Sequence, residues 1–145
     1  MKKISLLFLL CFVIAGIKCI AQQSKEPWTE KQLMPPVELA AIINNEKSEK
    51  PIIFSIGPSA IIKGSINIGM TKEKEKLDKL KQQLDELPRD SKIVIYCGCC
   101  PFEHCPNIRP AFNLLDKMKF TDHKLLNLEH NIKIDWINYN YPTNQ

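Results

Sequence analysis

Hydrophobic residues fall in short blocks along this chain, and the blocks alternate between two periodicities. Residues 51–56 (PIIFSI) are a continuous apolar run of the length expected for a strand buried on both faces. Residues 92–96 (KIVIY) give the strongest strand signal, and 124–128 (KLLNL) the last one. Ile61, Ile62 and residues 65–68 form a further apolar piece, with Gly64 at a turn. Elsewhere the spacing lengthens to three and four. Leu77, Leu80, Leu84 and Leu87 mark one helical face. Thr71 is placed to cap that helix, Glu73 and Glu75 suit its first turn, and Pro88 ends it. A second helix is predicted over 110–120, with Phe112, Leu115 and Met118 inward. A shorter one opens at Pro35 and Pro36, with Val37, Leu39, Ala40, Ile42 and Ile43 toward a buried side. Residues 22–35 are polar and contain proline, and are expected to be a leader; 129–145 should hold a short helix and a tail. Strands alternating with helices predict an α/β fold, a small parallel sheet flanked by helices on both faces.

The N-terminus departs from this alternation and changes the meaning of the totals. Lys2 and Lys3 precede an apolar stretch over 4–17, and Cys19, Ile20 and Ala21 put small residues where a signal peptidase cuts. Residues 1–21 are therefore expected to be a cleaved export signal, since the run is shorter than the ~20 residues of a spanning helix. The full chain of 145 residues carries +4 and six cysteines. Without residues 1–21 it keeps 17 basic and 16 acidic residues, a net +1, and four cysteines. That balance, with no one-sided basic patch, argues against a nucleic-acid partner. No second apolar run predicts stable membrane insertion after cleavage. The hydrophobic content of 44% excludes a mostly disordered chain. Residues 22–145 suffice for one core, and the expected location is a periplasm or the cell exterior, where disulfides persist.

All four remaining cysteines (97, 99, 100 and 105) lie in the segment 97–109, CGCCPFEHCPNIR. This segment joins the end of a buried strand to the start of a helix, the edge of an open α/β sheet where ligands bind. Helix N-termini offer free N–H groups and partial positive charge, which stabilise a thiolate and raise its nucleophilicity at neutral pH. Arg109 adds a fixed cation and a fork for an oxyanion. Such a site suits a thiolate that attacks a small anionic sulfur donor, carries the sulfur as a persulfide and hands it to a thiol acceptor; it requires no cofactor. Other chemistries use the same residues. Cys99, Cys100 and Cys105 with His104 form a soft donor set for Cu(I) or Zn, although C-x-C-C-x4-C lacks the separated pairs of structural zinc sites. Cys97 and Cys100 have C-x-x-C spacing, which admits thiol redox activity, and four cysteines allow three disulfide pairings, including Cys100–Cys105.

Over residues 28–142 the chain resembles the rhodanese-like sulfurtransferase family. Residues 63–68 (KGSINI) are similar to the end of that family's glycine-containing segment. Cys97 follows Tyr96 at a strand end, as the family's catalytic cysteine does, and Arg109 precedes a helical segment as the family's loop-closing arginine does. Leu125 to Leu128, Asp135 with Trp136, and Tyr141 with Pro142 match the closing strand, helix and tail. The resemblance implies a rhodanese-like domain over 36–145, with Cys97 as nucleophile and Arg109 as anion holder. Cys105, four residues before Arg109, is the second candidate, and Cys99 and Cys100 are then resolving or metal-binding thiols. Two departures stand out. Eleven residues separate Cys97 from Arg109, more than is usual in the family, and Ser55, Ile56 and Gly57 stand where the family carries Asp-x-Arg.

The other polar residues carry weaker expectations. Asn107 is placed to cap the helix after the loop, Glu103 to be solvated, and His123 and His130 to lie at the surface. Trp28 and Trp136 are expected to pack into the core or its edge.

Overall fold

A computed structural model describes residues 26–144, so residues 1–21, expected to be an export signal, lie outside the described residues. Five strands form one parallel sheet: β1 (Leu33–Met34), β2 (Ile52–Ser55), β3 (Ile66–Asn67), β4 (Ile93–Tyr96) and β5 (His123–Leu126), in the order β1-β5-β4-β2-β3. Four helices connect or follow them: α1 (Pro36–Asn44), α2 (Lys74–Asp85), α3 (Ile108–Lys117) and the short α4 (Ile132–Asp135). The α/β expectation therefore holds.

The central strand β4 is buried along its whole length, and its alternation builds the two faces. Ile93, Ile95 and then Cys97 point to one side, where they meet Leu80 and Leu84 of α2 and Ile108, Ala111, Phe112 and Leu115 of α3. Val94 and Tyr96 point to the other, with Leu39 and Ala40 of α1 and with Trp136. Period-2 strands against period-3.6 helices thus give two cores with the sheet between them. Register is continuous across the centre, with Phe54 opposite Ile95 and Ile95 opposite Leu125.

Several expectations change here. Residues 22–35 are not merely a leader where they are described. A single 3-10 turn at Glu30–Gln32 leads into β1, which pairs with β5 through Leu33↔Leu125 and Met34↔Leu126. Trp28 lies in the core against Phe102 and Phe112, with ring centroids 5.8 Å away in each case. A two-residue strand is too short to show alternation, so its polar neighbours dominate the pattern. Val37 is 60% exposed rather than buried, and Leu39 and Ala40 carry the α1 contact. His123 is buried; its ring bonds Gln32 and the Phe120 carbonyl and lies 3.1 Å from Asp116. It opens β5, so the strand's alternation turns it inward. His130 is exposed and paired with Asp135.

The C-terminal tail closes the second core. Trp136 is fully buried, donates its indole N–H to the Pro142 carbonyl at 2.9 Å and packs edge-on against Tyr141. An indole that satisfies its one donor while burying its ring adds apolar contact at no unpaired polar cost. No helix among the described residues is long and apolar enough to cross a membrane.

Candidate functional site

The cysteine segment leaves the sheet from its middle strand, at the carboxyl edge. Cys97 continues the inward alternation of β4 and is 3% exposed. Gly98 follows at φ +80°, a left-handed conformation that glycine adopts without penalty and other residues rarely do. A Cβ there would also lie 3.0 Å from Ile132, whose N–H bonds the Gly98 carbonyl at 2.9 Å. Cys99, exposed, and Cys100, half-buried, then form the outer turn. A 3-10 turn over Phe102–His104 buries Phe102 beneath the loop and leaves Glu103 and His104 exposed. Cys105 returns to the core with no exposure, and its carbonyl accepts from Ile108 N–H at the start of α3.

The strand beside β4 makes room for this turn. Just past β2, Gly57 approaches Cys97 so closely that a Cβ would lie 2.2 Å from the Cys97 carbonyl oxygen and 2.9 Å from its sulfur. The place where the resembling family carries a side chain thus has to lack one here.

The fold brings three sulfurs together. The Sγ atoms of Cys97, Cys99 and Cys105 all lie within 4.8 Å of one another. Cys97 Sγ is 3.1 Å from Cys99 Sγ, which is 3.3 Å from Cys100 Sγ, and the four cysteines among the described residues are free. Asn107 Nδ2 donates to Cys97 Sγ at 3.3 Å. Hydrogen bonds from Cys105, from the backbone and thiol of Cys99 and from Asn107 outweigh burial and hold the Cys97 thiol down to about 5, against an ordinary 9.0. Its neighbours move the other way. The bond that Cys105 gives to Cys97 raises the Cys105 thiol strongly, helped by burial. Desolvation and the adjacent sulfurs push Cys99 up to about 12. The opposite directions of these shifts favour a negative charge on Cys97 over its two neighbours.

Asn107 is the residue whose role the sequence misassigns. It occupies the N-cap position of α3, but its side chain makes no capping bond. Its amide faces Cys97, its Oδ1 accepts from Lys72 N–H at 3.1 Å, and its carbonyl accepts from Thr71 Oγ1 at 2.6 Å. Thr71 is correspondingly not the cap of α2, which starts at Lys74 after Glu73. The two polar residues that pattern assigns to separate helix ends meet each other and fix the floor of the thiol site.

Arg109 lies inside α3 rather than ahead of it, because the helix begins at Ile108 and accepts Pro110 in its first turn, where a missing N–H costs no bond. Its guanidinium contacts the Glu26 carboxylate at 2.6 and 2.7 Å and the Glu103 carbonyl at 2.8 Å, and lies 5.4 Å above the Trp28 ring. It braces the outer loop against the N-terminal segment, and no cysteine is among these partners. Of the donor set Cys99, Cys100, Cys105 and His104, the structure brings Cys99 and Cys105 into the three-sulfur group with Cys97. His104 is not in that group, and Cys100 reaches it only through Cys99. A cavity of about 370 Å³ lies against the loop, lined by Leu33, Pro101, Phe102, Glu103, Asn127 and Glu129. No cysteine lines it, and the exposed member of the sulfur group is Cys99.

Comparisons with protein-family models, with curated proteins and with solved structures find no match for this chain.

Proposed function

We propose that this protein is an exported, rhodanese-like sulfurtransferase that carries sulfane sulfur on Cys97. The observation that carries the proposal is the Cys97 sulfur itself, at the carboxyl end of the central strand, accepting a hydrogen bond from Asn107 and grouped with the Cys99 and Cys105 sulfurs within 4.8 Å. A buried thiolate is costly unless donors surround it, so a cradle of this kind suits a standing nucleophile. With thiosulfate as donor, the Cys97 thiolate attacks the outer sulfur. A Cys97–S bond forms, the sulfur–sulfur bond of thiosulfate breaks, and sulfite leaves with the electron pair. The resulting persulfide passes its outer sulfur to a thiol acceptor and restores the thiolate. Arg109 braces the loop in this state and holds an anionic donor only after that donor displaces Glu26, whose exposed ion pair is weak enough to yield. In this reading, export through residues 1–21 delivers the site to the periplasm or the cell exterior.

The test is intact-mass spectrometry of the reduced chain after thiosulfate or glutathione persulfide. The wild type should gain sulfur at Cys97 and Cys97→Ser should not. A wild type that takes up no sulfur at Cys97 and reacts there with neither donor would end the proposal. A second reading, a soft-metal site for Cu(I) or Zn, is favoured by the three Sγ atoms within 4.8 Å. It predicts one equivalent of tightly held metal in protein purified under reducing conditions, lost in Cys105→Ser.

A further inference from the structure

The sulfur group is graded from inside to outside. Cys105 has no exposure, Cys97 has 3%, and Cys99 is exposed. The shortest sulfur–sulfur distance recorded among them is the 3.1 Å between Cys97 and Cys99. A disulfide is ~2.05 Å long, so closing this pair takes a movement of only about 1 Å. Cys100 stands 3.3 Å from Cys99, so its path to Cys97 runs through that residue. The intervening Gly98 makes the turn that folds Cys99 back over the strand end.

We propose that Cys99 is the resolving thiol of this site, releasing the sulfur carried by Cys97 as sulfide and closing a Cys97–Cys99 disulfide. The inference rests on persulfide formation at Cys97 and names its product. The Cys99 sulfur attacks the inner sulfur of the persulfide, the Cys97 Sγ. The Cys97–Cys99 bond forms and the bond to the outer sulfur breaks. The outer sulfur, which carries the persulfide's negative charge, leaves with the electron pair, takes the proton from Cys99 and departs as hydrosulfide, HS⁻. The sulfane sulfur is reduced by two electrons, and the two cysteine sulfurs are oxidised to the disulfide. A dithiol reductant at the surface then resets the pair by exchange. Exposure of Cys99 gives such a reductant a sulfur to attack, which the buried alternative, Cys105, does not. The site then acts as a persulfide reductase, and sulfide, rather than a persulfidated acceptor, is what it delivers.

The experiment is a single turnover of reduced, oxygen-free protein without added reductant, with thiosulfate in one arm and glutathione persulfide in the other. The wild type should release one equivalent of sulfide per chain and yield a Cys97–Cys99 disulfide on peptide mapping. Cys99→Ser should hold a stable persulfide on Cys97 and release sulfide roughly tenfold more slowly or worse, since the in-place attacking thiol is gone. Cys99 is exposed, so its loss leaves the core intact. A stable Cys97 persulfide in both proteins overturns the resolving role and leaves sulfur loading standing. A disulfide to Cys105, or a glutathione mixed disulfide on Cys97 of Cys99→Ser in place of the persulfide, also overturns it. Failure of both proteins to acquire sulfur removes the underlying sulfur transfer as well.

Discussion

Two neighbouring parallel strands end at the same sheet edge and solve opposite problems. β4 runs out of the core into Cys97, which must keep a charge where almost no water reaches it. β2 runs out into Gly57, which contributes no side chain and lets the Cys97 carbonyl and sulfur come close. A thiolate site at a strand end is therefore built by subtraction on one strand as much as by chemistry on the next. The donors come from elsewhere, from Asn107 and from the other thiols.

The strongest way to break this pairing is to fill the gap. Gly57→Ala places a methyl 2.2 Å from the Cys97 carbonyl oxygen, so backbone has to move. The expected cost is about 2–3 kcal/mol by chemical denaturation, at the upper end of overpacking effects, with loss of sulfur loading. A variant as stable as the wild type would show that the two strand ends are not coupled.

Removing the donor sharpens the comparison from the other side. Asn107→Ala deletes the amide facing Cys97 and the acceptor for Lys72 N–H. It should raise the Cys97 thiol, by less than the loss of the Cys105 donor would, and cost about 1–2 kcal/mol of stability. An unchanged pH profile of Cys97 alkylation would place the stabilising donors elsewhere.

Acidity itself should weaken the fold. The Cys97 thiol is ionised above about 5 in the folded chain and above 9.0 when unfolded. Between those values the unfolded chain binds more protons at this residue, so stability rises with pH through the window. The contribution is full above the unfolded value and is lost as pH falls through about 5. Wild type and Cys97→Ser compared in urea at pH 5 and pH 8 should show a larger pH-dependent gain in the wild type. Equal gains would mean the charge does not reside on Cys97.

The smallest effect should come from Glu26→Gln. The Glu26–Arg109 pair is more than a third exposed on both sides, so stability should change by less than about 1 kcal/mol. The freed guanidinium should lower the thiosulfate concentration needed for loading, most visibly at low salt. No change in that concentration would show that Arg109 serves the loop alone.

Much of the architecture is written in the pattern. The apolar runs at 51–56 and 92–96 mark β2 and β4, and the leucine spacing marks α2, because long buried elements impose their period on many residues. β1 is not legible in this way: two residues carry no period, and Leu33 and Met34 sit among polar neighbours. The site divides similarly. Four cysteines in one segment announce where the chemistry lies, since their clustering is local. Which sulfurs meet, and which one is charged, depends on Gly57, 40 positions from Cys97, and on Asn107, which is held by Thr71 36 positions before it. Asn107 before a helix reads as a cap because local rules favour that use, whereas the fold spends its amide on Cys97.

The central claim is that Cys97 stands as a thiolate at neutral pH. The most direct measurement is the ultraviolet thiolate absorbance of the reduced chain against pH, with Cys97→Ser subtracted. One thiolate per chain with a midpoint near pH 5 is predicted. A difference spectrum that develops only around the ordinary thiol value of 9.0 would contradict it.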